Sequence, residues 1–184
     1  MVVDIVIIGA GPAGASAGIF AGRAGKKTVL LDNDRSGTSK AWVDNHYAVM
    51  GVTGFDLYET GKLQAQKCGA QLVTAEAIAI EPTDTGFCVV TEEEVYEAAY
   101  VLIASGPGRE LAEQAGIELK SGEGRSYIKV DAEGRTNVPG IWAAGLCTGV
   151  SMHVAVTAGD GARVAIHMLS EMNGKPYVDH DMMC

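Results

Sequence analysis

The chain has 184 residues, 47% of them hydrophobic and 20% charged, with 24 glycines and a formal net charge of −9. That size and balance fit one packed α/β domain and exclude a disordered, fibrous or disulfide-stapled chain. Acidity without a Lys/Arg stripe argues against nucleic acid or an anionic membrane as partner, and no apolar run reaches the roughly 18 residues of a membrane span. With no basic leader ahead of the first strand, the expected compartment is the cytoplasm.

Val2 to Ile8, interrupted only by Asp4, reads as a strand covered on both faces. It runs into Gly9-Ala10-Gly11-Pro12-Ala13-Gly14. In such a loop Gly9 permits a tight turn, Gly11 lets the backbone approach a pyrophosphate, and Gly14 lets the following helix pack on the sheet. Pro12 suits the first turn of that helix, which Gly25 ends. Its free N–H groups and positive dipole end are suited to phosphates. Thr28 to Leu31 is the returning strand and delivers Asp32, a carboxylate placed to accept from an adenosine ribose and to repel a 2′-phosphate. Strand, glycine loop, helix, strand and acid together make a dinucleotide-binding βαβ unit.

Residues 33 to 54 have no period and contain Ser36-Gly37-Thr38-Ser39, so they read as a loop crossing toward the ligand. A helix is predicted from Phe55 to Lys67, stopped by Gly69, and then a strand from Leu72 to Ile80. A hairpin follows, Gly86 to Thr91 and Val95 to Ala99, turning at the solvated Glu92-Glu93-Glu94. Tyr100 to Ala104 reads as a further buried parallel strand, ending at Ser105-Gly106-Pro107-Gly108. Beyond it come a short acidic helix, Glu110 to Gln114, a polar turn around Ser121 to Gly124, and strands at Tyr127 to Val130 and Ile141 to Ala144. From Ser151 to Met172 small and apolar residues recur at helical spacing, giving a face able to lie close to the sheet. Residues 173–184 form a tail; its His180, Met182, Met183 and Cys184 are soft ligands, but a short terminal stretch earns no metal assignment. The predicted fold is one α/β domain over 1–184, three-layer and Rossmann-like. Its central parallel sheet has helices on one face and a small antiparallel β-meander on the other.

The order of these segments resembles the thioredoxin-reductase-like flavoproteins of the pyridine nucleotide-disulfide oxidoreductase family. The resemblance spans nearly the whole chain. Its residues are Gly9 to Gly14, Asn45-His46-Tyr47 with Gly51 and Gly54, Lys67-Cys68-Gly69-Ala70, Ile103-Ala104-Ser105-Gly106, and Thr136 to Gly145. It decides between NAD and FAD in favour of FAD. By the same resemblance the pyrophosphate lies over Gly11, Pro12, Ala13 and Gly14 and the adenosine ribose on Asp32, with Gly9, Asn33, Ser39 and Lys40 as further cofactor-binding candidates. The adenine lies against Glu76 and Ala77. Gly145 and the backbone that follows it at Leu146 look like the cradle for the ribityl chain and flavin, and Ala104, Ser105 and Gly106 are further cofactor-binding candidates. Asn45 stands beside the reactive edge of the isoalloxazine, and His153 with Val154 at its pyrimidine end, which makes Asn45 and His153 the catalytic candidates.

Two departures stand out. Leu146 replaces the aspartate that the family uses to hold a ribityl hydroxyl, and His153 replaces a glutamine. His153 either donates to a reduced, anionic flavin or is simply packed or solvated. Cys147, at the start of a helical segment, is either an activated thiolate near the flavin or a small buried residue.

Cys68, Cys88, Cys147 and Cys184 form no Cys-x-x-Cys pair, so a dithiol shuttle is not expected, nor is zinc. Two-domain members of the family insert a nicotinamide domain after the strand that here ends at Gly106. Only about 30 residues separate Gly106 from Pro139, whereas an independent domain needs at least ~50. The expected protein is therefore an FAD-dependent oxidoreductase lacking that domain and served by a small-molecule or protein electron donor. The alternative is a non-catalytic FAD module acting as electron-transfer subunit or redox sensor. Trp42, Val43, Tyr47, Val49, Met50, Val150 and Met152 are unusually apolar for loop residues, and either pack beneath the flavin or form an interface covered by a homodimer or a docked partner.

Overall fold

The structure, a computed structural model, describes residues 1–122 and 124–180. The chain opens with β1 (Val2–Ile8), α1 (Pro12–Arg23) and β2 (Thr28–Asp32), and β1 and β2 run parallel with Ile5 opposite Thr28. The turn between β1 and α1 and the first turn of α1 each have a position with no room for a side chain. Gly9 sits at φ +100°, where a Cβ would lie 2.4 Å from the Ala104 carbonyl oxygen, and a Cβ on Gly14 would lie 1.7 Å from the Gly9 carbonyl oxygen. Helix and loop are thereby pressed together, which aims the start of α1 at the open end of the sheet.

Next come a 3₁₀ turn at Gly37–Lys40 and the two-residue strands β3 (Trp42–Val43) and β4 (Val52–Thr53), which pair antiparallel. The predicted loop is thus pinned at its base. α2 (Gly54–Lys67) is capped by Thr53, whose Oγ1 accepts from the Asp56 N–H at 3.1 Å and donates to the Asp56 carboxylate at 2.6 Å. The remaining elements are β5 (Gln71–Thr74), β6 (Ala79–Thr83), β7 (Gly86–Val90), β8 (Val95–Ile103), α3 (Glu110–Gln114), β9 (Leu119–Gly122), β10 (Arg125–Ile128), β11 (Ile141–Ala143), a 3₁₀ turn at Gly145–Thr148 and α4 (Val154–Asn173).

The main sheet has the order β5-β2-β1-β8-β7-β6, with β11 also paired to β8. β5, β2, β1, β8 and β11 are parallel, while β6 and β7 run antiparallel and join through the first half of β8. Two cores confirm the three layers. On one face Ile5, Ile7, Leu30, Leu102 and Trp142 pack against Ala13, Ala17 and Ala21 of α1 and Val164, Ala165 and Met168 of α4. On the other, Val6, Ile8, Leu31 and Ile103 pack against Ile80, Phe87 and Val89 of the meander. Gly161 sets the closeness of α4 to α1, because a Cβ there would lie 2.0 Å from the Ala13 carbonyl oxygen.

Two predicted boundaries are corrected. Leu72 to Ile80 is two strands: β5 completes the parallel sheet, and the chain then crosses through 75–78 to start the meander as β6. Val95 to Ala99 and Tyr100 to Ala104 are one strand, β8, whose burial alternates at first and is complete over Val101 to Ile103. It belongs to the meander at one end and to the parallel sheet at the other, so its side-chain pattern changes midway. The tail is docked as far as it is described: Arg23 holds the Asp179 carboxylate with contacts at 2.5 and 2.7 Å, and the Tyr177 N–H donates to Ser170 Oγ. Met182, Met183 and Cys184 lie outside the described residues, as does Glu123 of the predicted polar turn. No helix among the described residues is long and apolar enough to cross a membrane.

Candidate functional site

A cleft of about 760 Å³ opens beyond the carboxyl ends of β1, β2, β8 and β11. Ligands bind at such sheet ends in open α/β folds, and the volume is that of a cofactor site. Gly9, Gly11, Pro12 and Ala13 line its centre, Asp32, Asn33, Glu76 and Ala77 one end, and Ala104, Ser105, Gly106, Leu146 and Val154 the other. Thirteen of the residues singled out from the sequence thus lie together on its wall.

The remaining candidates are elsewhere. Gly14 is one turn inside α1, packed on the Gly9 carbonyl. Ser39 and Lys40 belong to the 3₁₀ turn and do not line the cleft, although their neighbours Ser36, Gly37 and Thr38 do. Gly145 is turned toward the scaffold: its N–H donates to Asp160 Oδ2 at 2.7 Å. Asn45 is exposed between β3 and β4, and His153 is exposed at the N-cap of α4, with Nδ1 2.6 Å from Ser151 Oγ. Neither lines the cleft. It is His46, next to Asn45, that turns inward, to a smaller groove it shares with Pro12 and Val154.

Cys147 is the small buried residue of the two readings. It is fully buried, its thiol contacts the Ala144 carbonyl at 3.2 Å, and burial pushes its pKa up to about 12. A thiolate is therefore absent at neutral pH.

Three residues of the site were missed by sequence reasoning. Asp160, on α4, bridges the Gly145 N–H and Arg163, whose Nη2 is 2.8 Å from it. Tyr58 and Lys62, on α2, both reach Asp32: the Tyr58 hydroxyl donates to Oδ2, and Lys62 Nζ lies 3.2 Å from the same oxygen. Lys62 is 8% exposed. A signal existed, because Gly54, Tyr58, Lys62 and Ala65 are the buried stripe of α2 and a lysine within such a stripe needs a partner. Burial opposes charge on Lys62, but hydrogen bonds to Glu59 and Asp32 outweigh it and hold the ammonium above its ordinary pKa. Burial and the Asp32 contact likewise raise the Tyr58 hydroxyl.

The cleft fits a dinucleotide. A Cβ built on Gly11 would meet only Ser36 Oγ, at 3.3 Å, so the backbone there faces open space. The N-cap of α1 has no side chain, and its first turn has no acidic residue, which leaves the N–H groups of the helix start to an anion. The fold and the site together define a dinucleotide-binding flavoprotein domain.

Comparison with known proteins places the chain within that class. It belongs to the pyridine nucleotide-disulphide oxidoreductase family, whose model matches residues 3–106 and 56–162. The family's cofactor is FAD, and the chain is an FAD-binding domain of the thioredoxin reductase type. It is 33% identical to the thioredoxin reductase of Aquifex aeolicus over 136 residues, which cover 70% of this chain and 42% of that protein. The chain spans about 42% of the length of the curated relatives it matches. Its fold is that of a thioredoxin reductase from Gloeobacter violaceus (TM-score 0.82, 17% identity, covering 100% of this chain and 98% of that one). It is equally that of a ferredoxin-flavin thioredoxin reductase from Clostridium acetobutylicum (TM-score 0.78, 19% identity, covering 95% and 99%).

Proposed function

We propose that the chain is an FAD-dependent oxidoreductase whose flavin is reduced by an external donor, without a nicotinamide domain or a redox dithiol of its own. The observation that carries this reading is the segment between β8 and β11, which holds α3, β9 and β10 in place of a second βαβ unit. Among the described cysteines, Cys147 is sealed in the core, Cys68 caps α2 and Cys88 lies in β7, an arrangement that supplies no adjacent pair. One solved protein with this fold is named a ferredoxin-flavin thioredoxin reductase, and a protein donor is a natural counterpart for a flavin without its own nicotinamide site.

In this reading Gly11 to Ala13 hold the pyrophosphate and Asp32 the adenosine ribose. Leu146, Val154 and Met152 give the flavin end of the cleft an apolar wall. FAD supplies the electron chemistry, and the protein orients it and excludes water. Anaerobic titration of the yellow protein tests the assignment. Bleaching by NADH or NADPH should be slow and linear in concentration, and a reduced ferredoxin-type donor should bleach the flavin faster. Saturable, rapid reduction by NADPH would overturn the absence of a nicotinamide site. Reduction by no donor would point to a module without turnover.

A further inference from the structure

Resting on the FAD reading, we propose that Lys62, with Tyr58, is the positioning residue of the adenosine subsite, holding Asp32 so that one carboxylate oxygen is kept for a ribose hydroxyl. The Asp32 side chain is 4% exposed and would lose much of its solvation without partners. Both partners from α2 meet it on one side: the Tyr58 hydroxyl and Lys62 Nζ converge on Oδ2. Among the described residues Oδ1 accepts only the longer contact from the Asp34 N–H, at 3.3 Å, and it is the oxygen left for a ligand at the cleft wall to which Asp32 contributes.

The same ammonium also fixes the backbone beside the subsite. It is shared among three carboxylates: besides Asp32, Nζ lies 2.7 Å from Glu59 and 3.3 Å from Asp34, to which it donates a hydrogen bond. Asp34 sits at φ +54°, a left-handed conformation that costs a residue with a Cβ unless its surroundings impose it. Its side-chain tie to Lys62 supplies that constraint. The turn so held presents Asn33, Arg35 and Ser36 to the cleft. Lys62 therefore acts on the ligand through the carboxylate and the turn, and its charge, shared by three acids, is not available to a second phosphate.

The test is a ligand-by-variant comparison on the full chain freed of flavin, with ADP, 2′-deoxy-ADP, 3′-deoxy-ADP and FMN as probes. A hydrogen bond to a charged acceptor corresponds to about tenfold or more in affinity. The parent should therefore bind ADP at least tenfold more tightly than one of the deoxy analogues. In Lys62→Met that preference should fall below about threefold while FMN affinity is unchanged. Tyr58→Phe, which removes a hydroxyl and keeps the ring, should show an intermediate loss, and it carries the test if Lys62→Met does not fold. A preference as large in both variants as in the parent overturns the proposal, as does an equal loss of ADP, deoxy analogues and FMN, which would mark a general structural role. A parent that binds neither FAD nor FMN would instead refute the underlying cofactor reading.

Discussion

Glycines at this site differ in what they tolerate, and the difference separates binding from folding. Gly11 has an extended backbone (φ −63°, ψ −176°) and space for a Cβ beside Ser36, whereas Gly14 and Gly161 have a backbone oxygen where the Cβ would go. Gly11→Val should leave the fold intact and remove FAD, because the branched side chain fills the place of the pyrophosphate. Gly161→Ala should instead lower Tm, by forcing α4 away from α1. Cofactor content and melting temperature, measured on both proteins, check this contrast; an FAD-replete Gly11→Val would refute the pyrophosphate assignment. Cys147 gives a pH prediction. Its folded pKa of about 12 stands above the ordinary value of 9.0, so from pH 9 upward the unfolded chain loses this proton and the folded chain keeps it. Stability is fully present below pH 9 and declines between about 9 and about 12, with a limiting slope of about 1.4 kcal/mol per pH unit. Urea unfolding at pH 8 and pH 10.5 should show a smaller alkaline loss in Cys147→Ala than in the parent.

At the scale of elements, α1 and α2 were legible because their apolar spacing, Pro12, Gly25 and Gly69 are local signals. The cap of α2 belongs with them: Thr53 meets the helix through its own neighbour Asp56, and Thr53→Ala should cost about 1 kcal/mol in denaturant unfolding. No measurable change would mean that the pairing of β3 with β4 alone fixes the start of the helix. Periodicity divides β8 into two strands because it reports exposure, and this strand passes from a half-exposed meander into a sheet buried on both faces. β5 and β6 were merged for the converse reason, since nothing in Ala75 to Ile78 is a strong turn signal although the chain changes sheet partners there. The glycine loop and Asp32 could be placed from sequence because their spacing is local. Asp160 could not, and the spacing of Lys62 on α2 calls for a partner without naming it, since their roles depend on Gly145 and Asp32 brought near by the fold. In the loop between β3 and β4 it is His46, not Asn45, that lines the smaller groove with Pro12 and Val154.

For the whole molecule, the surface around the flavin end of the cleft is the part least explained by the single chain. Trp42 is 65% exposed, Tyr47 91%, Met50 94% and Met152 73%, while Val43 is buried. His46 and Val154 line the same groove, which brings the loop between β3 and β4 near the start of α4. The result is an apolar surface on a chain of net charge −9, and such a patch marks an interface more often than a free surface. We propose that a second copy of the chain covers it. Light scattering over a dilution series should then show a dimer that dissociates on dilution. Met50→Asp and Tyr47→Asp should shift that equilibrium to monomer by more than tenfold in Kd with FAD content and Tm unchanged, because both side chains lie outside the core. A parent that is monomeric at every concentration would refute self-association. Loss of FAD in both variants would show instead that the loop closes over the flavin within one chain.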